Sequence, residues 1–152
     1  MALDLASPRS WLTSHAQSLG LFDRVMGHEP VSAPGSGLTY AVWLGDLAPS
    51  VQNSGLSSTS ARVVLTGRVF LPADTEPLDD VDLIVGGAAA DLIGAYTADF
   101  TLGGTIRNLD LLGSDGDALR ARFGYLSLDA TTYRIATLTL PMIVNDVWTQ
   151  GA

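Results

Sequence analysis

Three patterns point to an α+β fold. Several short segments alternate apolar and polar residues. A broad apolar stripe at helical spacing occupies the middle of the chain, and a β-hairpin pattern lies near its end. The expected architecture is a mainly antiparallel or mixed β-sheet, packed by an amino-terminal helix and one long central helix. A length of 152 residues suggests a single domain spanning 1–152, and 47% hydrophobic residues suffice for an ordinary core.

The first helix should open at Ser7-Pro8-Arg9, with Ser7 as cap and Pro8 in the first turn, where its missing N–H is harmless. Trp11, Leu12, His15, Ala16 and Leu19 share a face, and Gly20 is a natural stop. Residues 22–26 read as a short strand, and 27–37, with two Pro and three Gly, as a loop. Residues 38–44 alternate, with Leu38, Tyr40, Val42 and Leu44 on one face and Trp43 on the other. Residues 45–60, including Asn53, read as a long polar loop, and a loop of this length suits a binding element. The next strand, 61–71, puts Val63, Leu65, Val69 and Leu71 on one face and Arg62, Thr66 and Arg68 on the other. Pro72 ends it.

A long helix is expected over 77–100. Thr75 is placed to cap it, and Glu76, Asp79 and Asp80 suit its positive end. Leu78, Val81, Ile84, Val85, Ala88, Leu92, Ile93 and Tyr96 make one broad stripe. Gly87, Ala90, Gly94 and Ala98 cluster opposite, where a solvated helix normally carries charge. Such a face predicts packing on both sides, by the sheet and by a second element or subunit. Gly103-Gly104 turns the chain into a strand over 105–112, and 113–117 is a further turn.

The last third reads as two strands, 118–128 and 133–144, joined at 129–132. Ala136, Leu138, Leu140, Met142 and Val144 alternate with Ile135, Thr137, Thr139 and Ile143. In the outgoing strand Leu119, Ala121, Phe123 and Tyr125 oppose Arg120 and Arg122. After Gly124 the apolar parity switches to Leu126 and Leu128, which suggests a bulge at that glycine.

The formal charge is −8, with eight arginines, no lysine and no cysteine. No disulfide or thiolate chemistry is available. An acidic chain without basic clusters is a poor binder of DNA or anionic membrane. The amino terminus lacks the pattern of a secretory signal, and by the sequence no apolar run reaches the ~20 residues that span a bilayer. These features predict a soluble protein made in the cytoplasm.

His15 lies among apolar neighbours on the first helix and His28 in a Gly/Pro loop beside Glu29, so no metal site is expected. Asp79, Asp80 and Asp82 read as charge at a helix start. Asp115-Gly116-Asp117 lacks the remaining spacing of a calcium loop. A nucleophile elbow, a Walker loop and a dinucleotide fingerprint are all missing. The expectation is a protein without catalytic residues or cofactors.

The order of elements resembles the tail terminator, or tail completion, proteins of long-tailed bacteriophages. The matching features are an amino-terminal helix, a strand at 38–43, a long polar loop, the strand at 61–70 and a long helix. After these come the Gly-rich exit into Ile106-Arg-Asn-Leu-Asp110, the ending Gly124-Tyr-Leu-Ser-Leu-Asp129 with Tyr133-Arg-Ile, and a final apolar strand closing on Trp148. The missing lysine and the small-residue helix face depart from the pattern.

The resemblance implies a structural virion protein of the tail and neck. Copies would form a ring, usually a hexamer, on the head-proximal end of the tail tube. That ring would end tube polymerisation and join the tail to the head–tail connector protein, with DNA passing through the lumen without specific binding. Another connector, head-closure or minor tail protein is the neighbouring reading. Arg62, Arg68, Arg120 and Arg122 are the candidate interface cations. Gly87 and Gly94 are candidates for close helix packing, and Asn53 for contact through the loop.

Overall fold

A computed structural model describes residues 3–51, 54–55 and 58–150. Its elements are α1 (Ala6–Ser18), β1 (Arg24–Met26), β2 (Thr39–Pro49), β3 (Ser58–Pro72), α2 (Val81–Ala98), β4 (Asn108–Leu109), β5 (Arg120–Leu128) and β6 (Thr131–Thr149). One mixed sheet of six strands runs β1-β2-β3-β6, and the far side of β6 is shared by β4 and β5. β1 is parallel to β2, and the other pairings are antiparallel. The α+β expectation is met.

Both helices lie on one sheet face. Tyr40, Val42, Val63, Leu65, Val69, Leu138, Leu140 and Met142 meet Leu12 and Ala16 of α1 and Val85, Leu92 and Tyr96 of α2 in the main core. Period-two alternation supplies the sheet side of this core and helical spacing the other. The Tyr40 and Tyr96 hydroxyls meet at 2.7 Å inside it. That bond satisfies two polar groups with no access to water, and burial raises both phenol pKa values.

The opposite sheet face is closed at two ends and open between them. At one end Ala41, Phe70, Tyr133 and Ile135 form a second core, with Ala33, Leu126 and Leu128 against it. This second core explains the parity switch in the outgoing strand. β5 keeps unbroken register through Gly124, so the expected bulge is not there. Leu126 and Leu128 are apolar because the second face is also covered at that point.

The loop expected at 45–60 is strand at both ends, over 45–49 and 58–60. β2 runs on to Pro49, and a register shift between Leu44 and Asp46 shows that Gly45 is an extra residue in the ladder. This bulge lets the pairing continue past a Gly-Asp sequence that reads as a stop. Pro49 is tolerated because β2 is an edge at that point, where a missing N–H breaks no ladder bond. Only residues 50–57 connect β2 to β3, and Ser50 N–H donates to the Ser60 carbonyl at their base. β6 also extends past 144, with an irregularity between Thr59 and Ala61 of β3. Conversely, only Asn108–Leu109 of the expected strand 105–112 is strand.

The helix starts also differ. α1 begins at Ala6, and Asp4 rather than Ser7 supplies the side-chain acceptor, taking the Ser7 N–H at 3.0 Å. Thr75 does not cap α2, since its hydroxyl donates to the Pro72 carbonyl. A 3-10 turn over Leu78–Asp80 precedes α2. α2 buries Val81, Val85, Ala88, Ala89, Leu92 and Tyr96. Leu78 and Ile84, expected inside, are exposed. The stretch Leu78–Ala98 is, by length and composition, long and apolar enough to cross a bilayer, contrary to the sequence expectation. In this fold it lies on the sheet, tied down by Tyr96 and by Asp82, which accepts from Arg134 at 2.8 Å.

Candidate functional site

Strand register brings three of the candidate arginines together. Ala41, Arg68, Thr137 and Arg122 align across four strands, and Trp43, Thr66, Thr139 and Arg120 form the next row. Arg68, Arg120 and Arg122 therefore share the open middle of the second sheet face. Arg68 is the most constrained. Its Nε donates to Thr137 Oγ1 at 3.0 Å, and its guanidinium sits 5.2 Å from the centre of the Trp43 ring. Burial lowers its pKa, and the nearby Glu29 opposes that shift. Arg120 and Arg122 are exposed on β5, and Arg120 makes a loose pair with Asp117 at 3.8 Å.

Arg62 does something else. Its side chain is 11% exposed and pairs with Asp110, 4% exposed, at 2.8 Å, while it also donates to the Asp117 carbonyl at 2.6 Å. Asp110 in turn accepts from the Ser114 N–H and hydroxyl and from the Asp115 N–H. Burial pushes the Asp110 carboxyl up, but the bonds from Arg62, Asp115 and Ser114 outweigh it and hold the pKa below the usual carboxylate range. Arg62 is thus a strut that pins residues 110–117 over the sheet, and its cation is spent inside the chain.

Gly87 and Gly94 lie on the outer side of α2, and a Cβ at either would meet nothing within 4 Å. The expected second element over this face is not in the chain among the described residues. Leu83, 73% exposed, stands on the same uncovered side. Gly87 and Gly94 are also on the opposite layer from the arginines, so the two groups form no single site. Asn53 lies outside the described residues.

The sheet has two open edges. Beyond Ala41, the outer side of β2 pairs with no strand among the described residues, since β1 stops there. Among the described residues the outer side of β5 is unpaired along its whole length. Unpaired edges present rows of N–H and C=O groups ready to accept another strand. Both edges carry large apolar side chains toward the helix layer. On β2 these are Leu44 and Leu47, 50% and 45% exposed, and on β5 they are Phe123 and Tyr125, 50% and 67% exposed. Arg134 holds Tyr125 and Phe123 in place from β6, 4.6 and 6.0 Å from the two ring centres.

Beside the β2 edge is an apolar cleft of about 450 Å³, lined by Leu5, Ala6, Leu44 and Leu65, with Arg9 and Glu29 among its polar groups. No sequence signal marked Asp46, Leu47 or Phe123 as site residues, because edge status depends on which strands pair. Among the described residues no three His, Cys, Asp or Glu side chains converge as metal ligands. Neither a family model nor a curated protein sequence matches this chain.

Proposed function

We propose that this chain is a ring-forming structural protein of a long-tailed bacteriophage, acting as the tail terminator. Copies close into a ring on the head-proximal end of the tail tube, stop its growth and present a surface to the connector. The observation that supports this reading is a sheet left open at two unlike edges, each with exposed apolar residues. A chain with two different unsatisfied flanks is suited to head-to-tail contact, and such contacts close into rings when the rotation allows. The order of elements that resembles the terminators supports it further. Six copies at −8 each carry −48 formal charges, which disfavours tight phosphate binding by DNA in transit.

The test is light-scattering mass together with negative-stain images of the protein mixed with tubes of the tube protein from the same genome. Tube ends capped by rings are the expected result. A monomer that leaves tube ends bare and growing counts against the proposal.

A further inference from the structure

We propose that copies of this chain join through one sheet edge each, with β5 of one copy pairing antiparallel to the free part of β2 of the next. The proposal rests on the ring reading and names the surface that closes it.

Three observations converge on this pairing. The first is direction. β2, β3, β6 and β5 alternate along the sheet, so β5 placed beside β2 of a like-oriented neighbour runs antiparallel to it and continues the same alternation. The open backbone on both sides supplies the ladder.

The second is charge. Asp46 pairs with Val64, and Arg122 pairs with Thr137, which itself faces Arg68. Strand parity therefore puts Asp46 and Arg122 on the same sheet face, at opposite edges of one molecule. Like edges repel or leave Arg beside Arg, whereas unlike edges bring Arg122 to Asp46. Directly opposed opposite charges stabilise a strand pair, and like charges oppose it.

The third is shape. Setting Arg122 opposite Asp46 puts Ala121 opposite Leu47 and carries Phe123 to Leu44 and Gly45, where the apolar cleft opens. Phe123 is half exposed in the single chain and is the anchor for that cleft. An aromatic side chain filling a pocket at the centre of a contact carries a large share of its affinity. The occupant of the cleft is thus Phe123 of a second copy.

The absence of cysteine allows a direct test. Leu47→Cys chains and Ala121→Cys chains are assembled on tail tubes separately and as a mixture, then oxidised. The expected result is disulfide-linked dimers in the mixture and none in either population alone. A second arm measures assembled mass. Phe123→Asp should lower the assembled fraction about tenfold or more, with the monomer's circular dichroism unchanged because the site is at the surface. Asp46→Arg should also block assembly, and the double variant Asp46→Arg/Arg122→Asp should restore it. Disulfides within one population alone show a like-to-like contact and overturn the proposal. Assembled rings with no mixed disulfide, and full assembly by Phe123→Asp, overturn this interface while leaving the ring reading in place. A wild-type chain that never caps tubes overturns both.

Discussion

Arg62 and Asp110 show how a residue's surroundings set its role. The pair is nearly dry, and its 2.8 Å bond is one of several converging on the Asp110 carboxylate. Removing one partner of a buried pair leaves an uncompensated charge, so Arg62→Ala should cost about 3 kcal/mol in urea unfolding. The Asp110 pKa is depressed in the folded state. Its contribution is therefore complete above the unfolded value of about 3.9 and is lost as pH falls through the lower folded value. Asp110→Asn should flatten this acid limb of a stability–pH curve, and a limb that stays as steep as wild type would place the titration elsewhere. Gly67 is a second such position. A Cβ there would come within 2.5 Å of the Tyr40 hydroxyl oxygen and 3.0 Å of its ring. The Tyr40 ring is fully buried and cannot swing aside, so Gly67→Ala should cost about 1–3 kcal/mol and loosen the bond to Tyr96. In the sequence Gly67 merely interrupts an alternating strand.

Among the elements, the β5–β6 hairpin turns through Asp129 and Ala130, with φ of 50° and 63°. This two-residue left-handed turn matches the strand twist and prefers Gly at its second position. Ala130→Gly should therefore raise stability by roughly 1 kcal/mol or less, read as a higher thermal midpoint. The Asp129 side chain also accepts the Ala33 N–H at 2.7 Å, so the turn helps hold the segment that covers the second core. α2 makes the opposite point. Gly94 is in open space, and Gly in a helix interior is about 1 kcal/mol worse than Ala, with Leu close to Ala. Gly94→Leu should leave the monomer as stable as wild type or more so, while reducing the assembled mass on tubes. A collapse of the monomer would mean that this side of α2 is packed after all. Helical spacing marked α2 correctly but misplaced its buried stripe, putting Ile84 and Leu78 inside. An apolar face wider than the contact it makes leaves the rotation about the helix axis undetermined in sequence.

For the whole molecule, the open edges and the uncovered α2 face lie on different flanks, which suits a subunit with several neighbours. If Arg122 and Asp46 meet across copies, assembly should weaken as salt rises from about 0.1 to 1 M, because screening shortens from ~10 to ~3 Å. Salt-independent mass would favour an apolar contact alone. Residues 50–57 join β2 to β3 at the far end of the sheet, and the contact expected of the longer loop is proposed for this shorter connection. Amide exchange in this connection should slow when the protein binds the tube, and equal rates in both states would remove it from the contact.

Fold class, the two helices, the long hairpin and the faces of β3 and β6 were determined by the sequence, because periodicity alone assigns side chains to faces once an element is buried on one side. The ends of β2 were not. A bulge at Gly45 and an edge position for Pro49 let pairing run on through residues that locally favour a turn. Nor could the sequence separate Arg62 from Arg120 and Arg122. All three alternate with apolar neighbours, yet residues 110–117 fold over the first and leave the others at an open edge. Cover, edge status and the meeting of rows across four strands are relations between distant segments, and only the tertiary structure decides them.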